Sequence, residues 1–569
     1  MTEPASTAAS CSETTEEERS SLPNGIVIGI DIGTSPCRVS VWNGSVFEVW
    51  QNEINEMMIR FCETSKDHDF AIGSGSSSSS TEVSLENMDT IFDMNQFFNR
   101  IFSESAKFPF LMHTVDIKDR PFVDAFMKKL WRTTISEELL GKFLMKLTSM
   151  VETQLNRRIR NVVFTVPVSF SQLQINRIHR ACVMADFKAI RLMPQPTAVA
   201  FWYVMHKLYA YAYASSHEDK DNESKKIALI FNMDAGYCDV SVIEVEKGKF
   251  HIKAMTGSTI GEEDLFRNMM CHLLPDSENI FKRHVHWNSD ITSMASLRSR
   301  IHGVITKLSS ETSVEVDLKS SVLGLKIQRV VTRAEFEDAN KEVFEKCENL
   351  IMKCLQDAKI EAENINDVII VGGCGYIPRV RNLVTKICNG KEIYIGMNHL
   401  NAVLCGAAVA GAVVEASDDA DLFTSQVTLH TIGIQDDGMK FVTVIPKNTS
   451  VPTTWNIAFS TNDNQTTALI VIYEGGEEGQ MAEENNVLGN LEITDIPEAP
   501  KGVPGITLSM TIDHKNRLTV TASVRMPRYD QQSAIPIIEE RMIKFDDQFL
   551  IRTKFDDTID LVKSFNVEQ

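Results

Sequence analysis

The chain has 569 residues, 43% of them hydrophobic and 24% charged, with a formal net charge of -20. That length exceeds what one hydrophobic core fills, so several compact units are expected. The acidic balance argues against a nucleic-acid or anionic-membrane partner, and no apolar run is long enough to span a bilayer. Its 11 cysteines are scattered without a CxxC pair, which fits reduced thiols in a cytosolic or nuclear compartment.

Residues 1–25 read as a disordered polar tail, Ser/Thr/Glu-rich and lacking the apolar centre of a signal peptide. From Ile26 to about Ile59 the pattern alternates as in β-strands. The Gly/Ser run from Gly73 to Ser80 reads as a loop, and mixed helix is expected from about Asn87 to Arg158. Val162–Pro167 reads as a buried strand and Gln172–Ala185 as a helix. A strand–turn–strand follows over Ile227–Glu246, with further strands at Lys249–Met255, Ser313–Leu318, Lys326–Val331 and Val368–Val371. The last strand runs into Gly372-Gly373, and an apolar helix over Asn401–Val414 closes the region. Residues 414–426 form an acidic linker. From Val427 to Val524 short alternating strands with Asn, Asp and Gly turns indicate a β-sandwich, and 525–569 reads as a short tail with helical character.

Chemistry concentrates in turns. In Gly29-Ile30-Asp31-Ile32-Gly33-Thr34-Ser35 a strand enters an Asp-x-Gly-Thr-Ser turn. Such a turn can aim backbone N–H groups and a hydroxyl at a phosphate, while Asp31 can hold a metal through water. The same glycines also serve ordinary hairpins. His284-Val285-His286 lacks a third ligand, and there is no Gly-x-Ser-x-Gly or Walker-type loop with Lys.

Taken together, GIDIGTS (Gly29–Ser35), NVVFTVP (Asn161–Pro167), Pro196-Thr197-Ala198, Asp239–Val242, Leu308-Ser309-Ser310 and VGGCGYIP (Val371–Pro378) resemble the DnaK-type 70 kDa heat-shock chaperone family. NAVLCGAAVA (Asn401–Ala410), Tyr473-Glu474-Gly475, NNVLGN (Asn485–Asn490) and Gly502-Val503-Pro504 continue the match in order. The most similar members are short, divergent, plant-like cytosolic ones. The resemblance implies an actin-like, two-lobed α/β ATPase domain over 26–413, then an all-β peptide-binding sandwich over 427–524 and a reduced lid. It implies Mg2+ with ATP or ADP as cofactor, and unfolded or extended polypeptide segments as partners.

Carried over position by position, the resemblance assigns nucleotide contacts to Gly33, Thr34, Ser35, Gly236, Gly261, Gly372, Gly373 and Tyr376, and acidic roles to Asp31 and Asp239. Other positions depart from it. The family's catalytic lysine is Asn95, and the glutamate of Glu-Pro-Thr is Gln195. The family's Asp-x-Gly-Gly-Gly-Thr-x-Asp is matched without gaps by Asn232–Asp239, which makes the catalytic aspartate Asn232. A two-residue deletion instead places Asp234 at the catalytic position, and strand facing leaves both registers open. An arginine that senses the linker is Ile175, which reads as a packed helix residue. The peptide pocket carries over as Ile434, Phe459, Ala468, Ile470 and Ile512, which could equally be sandwich core, and Asp436-Asp437 brings charge to its rim.

Three functions are therefore open. One is a chaperone that grips apolar segments while hydrolysing ATP poorly. Another is a non-hydrolysing pseudo-ATPase, an exchange-factor-like partner of co-chaperones or of an active DnaK-type chaperone. The third is a slow ATPase using Asp31, Asp234 and Asp239.

Overall fold

The computed structural model describes separate backbone segments before residue 153, then 157–416 and 424–546, apart from 215–224, 235, 275–290, 321–324, 477, 495, 497, 504, 514–517 and 529–536. Gly33, Thr34, Ser35 and Asn95, with the linker at 417–423, lie outside the described residues.

A first sheet gathers β1 (Asn24–Ile32), β2 (Cys37–Trp42), β3 (Ile54–Thr64), β4 (Phe70–Ser74) and the short β5 (Met88–Asp89). Three strands read from sequence as part of a helical stretch form their own sheet: β6 (Thr114–Ile117), β7 (Arg120–Met127) and β8 (Leu130–Ile135). Helix in that stretch is confined, among the described residues, to positions between 140 and 152. There Leu140, Leu144, Leu147 and Val151 recur on one buried face, as helical periodicity requires.

The first sheet is completed by β9 (Arg158–Val166) and β10 (Ala189–Pro194), in the order β10-β9-β1-β2-β3-β4. β1 runs parallel to β9 and antiparallel to β2. Between β9 and β10 lies α1 (Gln172–Met184), which begins at a reciprocal cap: Ser171 Oγ accepts from Gln174 N, and the Gln174 side chain accepts from Ser171 N. Ile175 on this helix packs partly buried against the core, in line with the packed reading.

α2 (Gln195–Ala214) leads across to the second sheet. That sheet comprises β11 (Lys226–Met233), β12 (Cys238–Glu246) and β13 (Lys249–Ser258). α3 (Glu262–Leu273) and α4 (Ile291–Ser310) follow, then the hairpin of β14 (Ser313–Ser320) with β15 (Leu325–Thr332). After α5 (Arg333–Ala339) and α6 (Lys341–Ala358), β16 (Asp367–Val371) returns parallel to β11. The run Ile-Ala-Leu-Ile-Phe in β11 is apolar on both faces because helices cover both.

α7 (Pro378–Ile387) precedes α8 (Ala402–Ala416), a helix of small apolar residues. α8 packs on both α2 and β1, and Gly406 is placed where any Cβ would collide with the Ala198 carbonyl of α2. The small side chains set this close crossing.

The chain then adds β17 (Thr424–Val427) alongside β13 and, paired with β17, the short β20 (Ser450–Val451), so the second sheet reads β16-β11-β12-β13-β17-β20. The sandwich follows with β18 (Ile432–Gln435), β19 (Phe441–Ile445), β20 (Ser450–Val451), β21 (Thr453–Ser460), β22 (Ala468–Glu474), β23 (Asn486–Ile493), β24 (Gly505–Ile512) and β25 (Leu518–Arg528). Its sheets are ordered β19-β18-β22-β23 and β21-β24-β25, the latter extended by β26 (Ile537–Asp546). β24 buries every second residue, as one-sided packing demands. The tail expected to be helical instead contributes β26 (Ile537–Asp546), paired with β25 along its length. A free ladder edge on β25 outweighs the helix-favouring Glu-Glu-Arg-Met of that segment.

Candidate functional site in the cleft between the two sheets

Asp31 stands near the end of β1, 4% exposed. Its Oδ1 accepts from Thr165 Oγ1 at 2.6 Å, on the neighbouring β9, and from Gln195 Nε2 at 3.3 Å, at the start of α2. Gln195 Oε1 in turn accepts from Asn232 Nδ2 at 2.8 Å, and Asn232 belongs to β11 of the second sheet. Gln195 is 5% and Asn232 1% exposed. The result is a buried relay, Asn232 to Gln195 to Asp31, that crosses from one sheet to the other. Asp31 accepts only, so each amide has one consistent orientation.

One atom of the relay is left over. Asn232 Oδ1 has no hydrogen-bond partner, and it lies 3.1 Å from where a Cβ at Gly372 would stand. Gly372 ends β16 with φ +88, and a side chain there would also overlap the Met233 carbonyl. Only glycine suits that turn.

Beyond it, Gly373 faces acid. A Cβ at 373 would sit 3.5 Å from Glu262 Oε2 and 3.6 Å from Asp234 Oδ1. Asp234 and Glu262 are tied together, since Glu262 N donates to the Asp234 carbonyl at 3.1 Å. Gly261 caps α3, but its N–H already donates to Asp264 Oδ2 at 3.0 Å. The positive end of α3 is thus met by carboxylates of its own first turn, Glu262, Glu263 and Asp264. Gly236 is buried in the turn between β11 and β12. Tyr376 is 51% exposed and edge-on to His399 at 4.2 Å, at the end of the short helical turn that Gly373 begins.

Asp239 pairs across the ladder with Asn232, so both face the first sheet. Its two oxygens accept from Val168 N, each at 3.2 Å, and it is fully buried. Burial pushes its carboxyl up to about 8, against the pull of the Val168 N–H and of Lys447. At neutral pH it is therefore largely protonated.

Among the described residues, the groups lining this cleft fit a magnesium–nucleotide poorly. A bound metal wants oxygens with charge, and Gln195 beside Asp31 and Asn232 beyond it are amides already bonded to one another. A phosphate needs free N–H groups, yet the Gly261 N–H is taken and Asp234 and Glu262 stand by the turn. The spare Asn232 oxygen seeks a donor, which an ionised phosphate lacks.

The sandwich lies against this domain through groups that sequence reasoning did not single out. Glu474 accepts from Gln172 N with both oxygens, at 3.0 and 2.8 Å. His430 Nε2 lies 2.7 Å from the Phe170 carbonyl; burial drives its imidazole down to about 4, so the neutral ring donates. Asn448 accepts from Met255 N at 2.8 Å and donates to Asp357 Oδ2 at 3.1 Å. Lys447 Nζ reaches Thr256 Oγ1 at 3.4 Å. Only Tyr473-Glu474-Gly475 had drawn notice, as part of a family pattern.

Of the peptide-pocket positions, Ile434, Ile470 and Ile512 are 7%, 6% and 4% exposed in the sandwich core, while Phe459 and Ala468 pack partly buried against it. Asp436 forms its own turn, accepting from Gly438 N at 2.9 Å and Lys440 N at 2.8 Å.

Comparison with known proteins agrees with the architecture. The family model for Hsp70 protein matches residues 27–549. The chain is 42% identical to "Heat shock 70 kDa protein 8" of Arabidopsis thaliana, over 99% of both chains. It is 30% identical to "Heat shock cognate 70 kDa protein 3" of Dictyostelium discoideum, over 87% of this chain and 78% of that protein. With "Heat shock 70 kDa protein" of Neurospora crassa it shares 29% over 87% of this chain and 75% of that one. From the match over most of its length, the chain belongs to the Hsp70 family.

Proposed function

We propose that this chain is a heat-shock chaperone that binds extended apolar segments of unfolded proteins and does not run an efficient Mg-ATP hydrolysis cycle. The observation that carries the second half is the Asn232–Gln195–Asp31 relay. Amides stand where the family resemblance expects carboxylates, and the loss of one electrostatic contributor to phosphoryl transfer costs roughly 2.7–4 kcal/mol in the barrier. The alternating apolar faces of β21 and β22 support the first half, with Phe459 and Ala468 only partly covered. The test is anisotropy of a labelled apolar heptapeptide on the full chain, with and without Mg-ATP. Binding that ignores nucleotide supports the reading; binding released by ATP turnover sinks it.

A second reading has its own support. Ile434, Ile470 and Ile512 are sandwich core, which leaves less apolar surface for a peptide and favours a non-hydrolysing regulator of an active DnaK-type chaperone. Calorimetric binding to such a chaperone, with no binding of the peptide, would select it.

A further inference from the structure

The relay joins residues from β1, from the start of α2 and from β11, and so ties the first sheet to the second by side chains alone. We propose that it is a metal-free latch: two amides close the cleft internally, and the arrangement of the two sheets requires neither a divalent cation nor a nucleotide. This goes beyond the functional reading, although it rests on the same loss of carboxylates.

Charge explains why amides can do this. With carboxylates at 195 and 232, three acidic groups would meet at the 2.8 and 3.3 Å separations seen here. Such neighbours cannot all ionise unless a cation lies between them. An amide carries a donor and an acceptor, so Asn232 and Gln195 chain head to tail and end on Asp31, the acid retained among these three positions. Thr165 adds a second donor to that acid at 2.6 Å. The acids at these three positions fall from three to one, and both Thr165 and Gln195 donate to it.

The surroundings agree. The N–H of Gly261 serves Asp264, and the Asp234 carbonyl accepts from Glu262 N, so these two groups beside the relay are also satisfied from within. Docking of the sandwich through Glu474, His430 and Asn448 engages a domain whose cleft is already closed.

The test is amide hydrogen exchange on the full chain, followed for peptides covering 27–32 and 228–233, in EDTA and in millimolar Mg2+. Wild-type protein should exchange equally in both. The double variant Gln195→Glu with Asn232→Asp should exchange roughly tenfold faster in EDTA in both strands, and Mg2+ should restore it. The uncharged variant Gln195→Met, which keeps the volume and removes both bonds, should exchange faster with no rescue by Mg2+. It serves as well should the double variant fail to fold. Wild-type protection that depends on Mg2+, or a Gln195→Met variant as protected as wild type, overturns the latch. Peptide anisotropy on the same samples keeps the two ideas apart, since lost peptide binding with unchanged exchange counts against the chaperone reading alone.

Discussion

Glu474, on the sandwich, holds the backbone N–H of Gln172 with both carboxylate oxygens, at 3.0 and 2.8 Å. Gln172 opens α1, so the acid sits on one of the helix's unpaired N–H groups and at its positive end. Burial nevertheless wins and raises the Glu474 carboxyl to about 7.

That balance makes domain docking pH-dependent. A carboxyl whose docked pKa is raised stabilises docking below its free value, near 4.5, and loses that contribution as pH climbs through about 7. Docking should therefore weaken between pH 5 and pH 8, by on the order of 2–3 kcal/mol at most. Glu474→Gln should flatten the profile and hold the interface at pH 8. Proteolytic susceptibility of the 417–423 segment should rise across that range; a wild-type susceptibility that is flat, or that falls with pH, contradicts the assignment.

Asp239 gives a second titration, inside one domain. Its carboxyl is raised to about 8, so the folded state gains from the proton at low pH and loses that gain between about 4 and 8. Asp239→Asn should melt like wild type near pH 4 and increasingly above it as pH rises toward 8. A variant less stable at every pH would mean that the ionised acid is the working form.

Gly372 should tolerate no side chain. Its φ of +88 and its approach to the Met233 carbonyl make Gly372→Ala both strained and crowded. A loss of roughly 1–3 kcal/mol or more is expected in urea unfolding. A loss below half of that range would show that the turn relaxes.

The sandwich positions should divide into two classes. Ile470→Ala removes a buried side chain and should cost roughly 2–5 kcal/mol of stability. Phe459→Ala, only partly buried, should leave the melting point within a few degrees and lower peptide affinity several-fold. Unchanged peptide affinity in Phe459→Ala would move the weight to the regulatory reading.

Much of the fold was legible because burial writes itself into the chain. β11 announces itself as an unbroken apolar run over Ile227–Phe231, β9 by its Val162-Val163-Phe164 centre, and β24 by its alternation. The strands over Thr114–Ile135 were absorbed into a helical reading because Phe122 and Phe126 fall at i, i+4, with Asp124 between them on the same strand face, so no alternation marks β7; the Phe and Leu pairs on either side reinforced that reading. β26 was misread because Ile537–Asp546 favours helix locally, and only its pairing with β25 decides otherwise. The site was half legible. Asn232 and Gln195 stood out as departures from a family pattern, but their bond joins positions 37 apart in sequence, and the bond to Asp31 joins positions 164 apart. No local pattern encodes such a relay. The docking residues Lys447, Asn448 and His430 lie in turns of ordinary composition, and become visible only once both domains are folded.

The most direct test of the central claim is single-turnover hydrolysis of γ-labelled Mg-ATP by the purified full chain, read beside calorimetric binding of the same nucleotide. The relay predicts no release of phosphate above the buffer rate, in wild type and in Asp234→Asn alike. Hydrolysis that Asp234→Asn abolishes would contradict it, by placing Asp234 as the working carboxylate and the cleft among active ATPases.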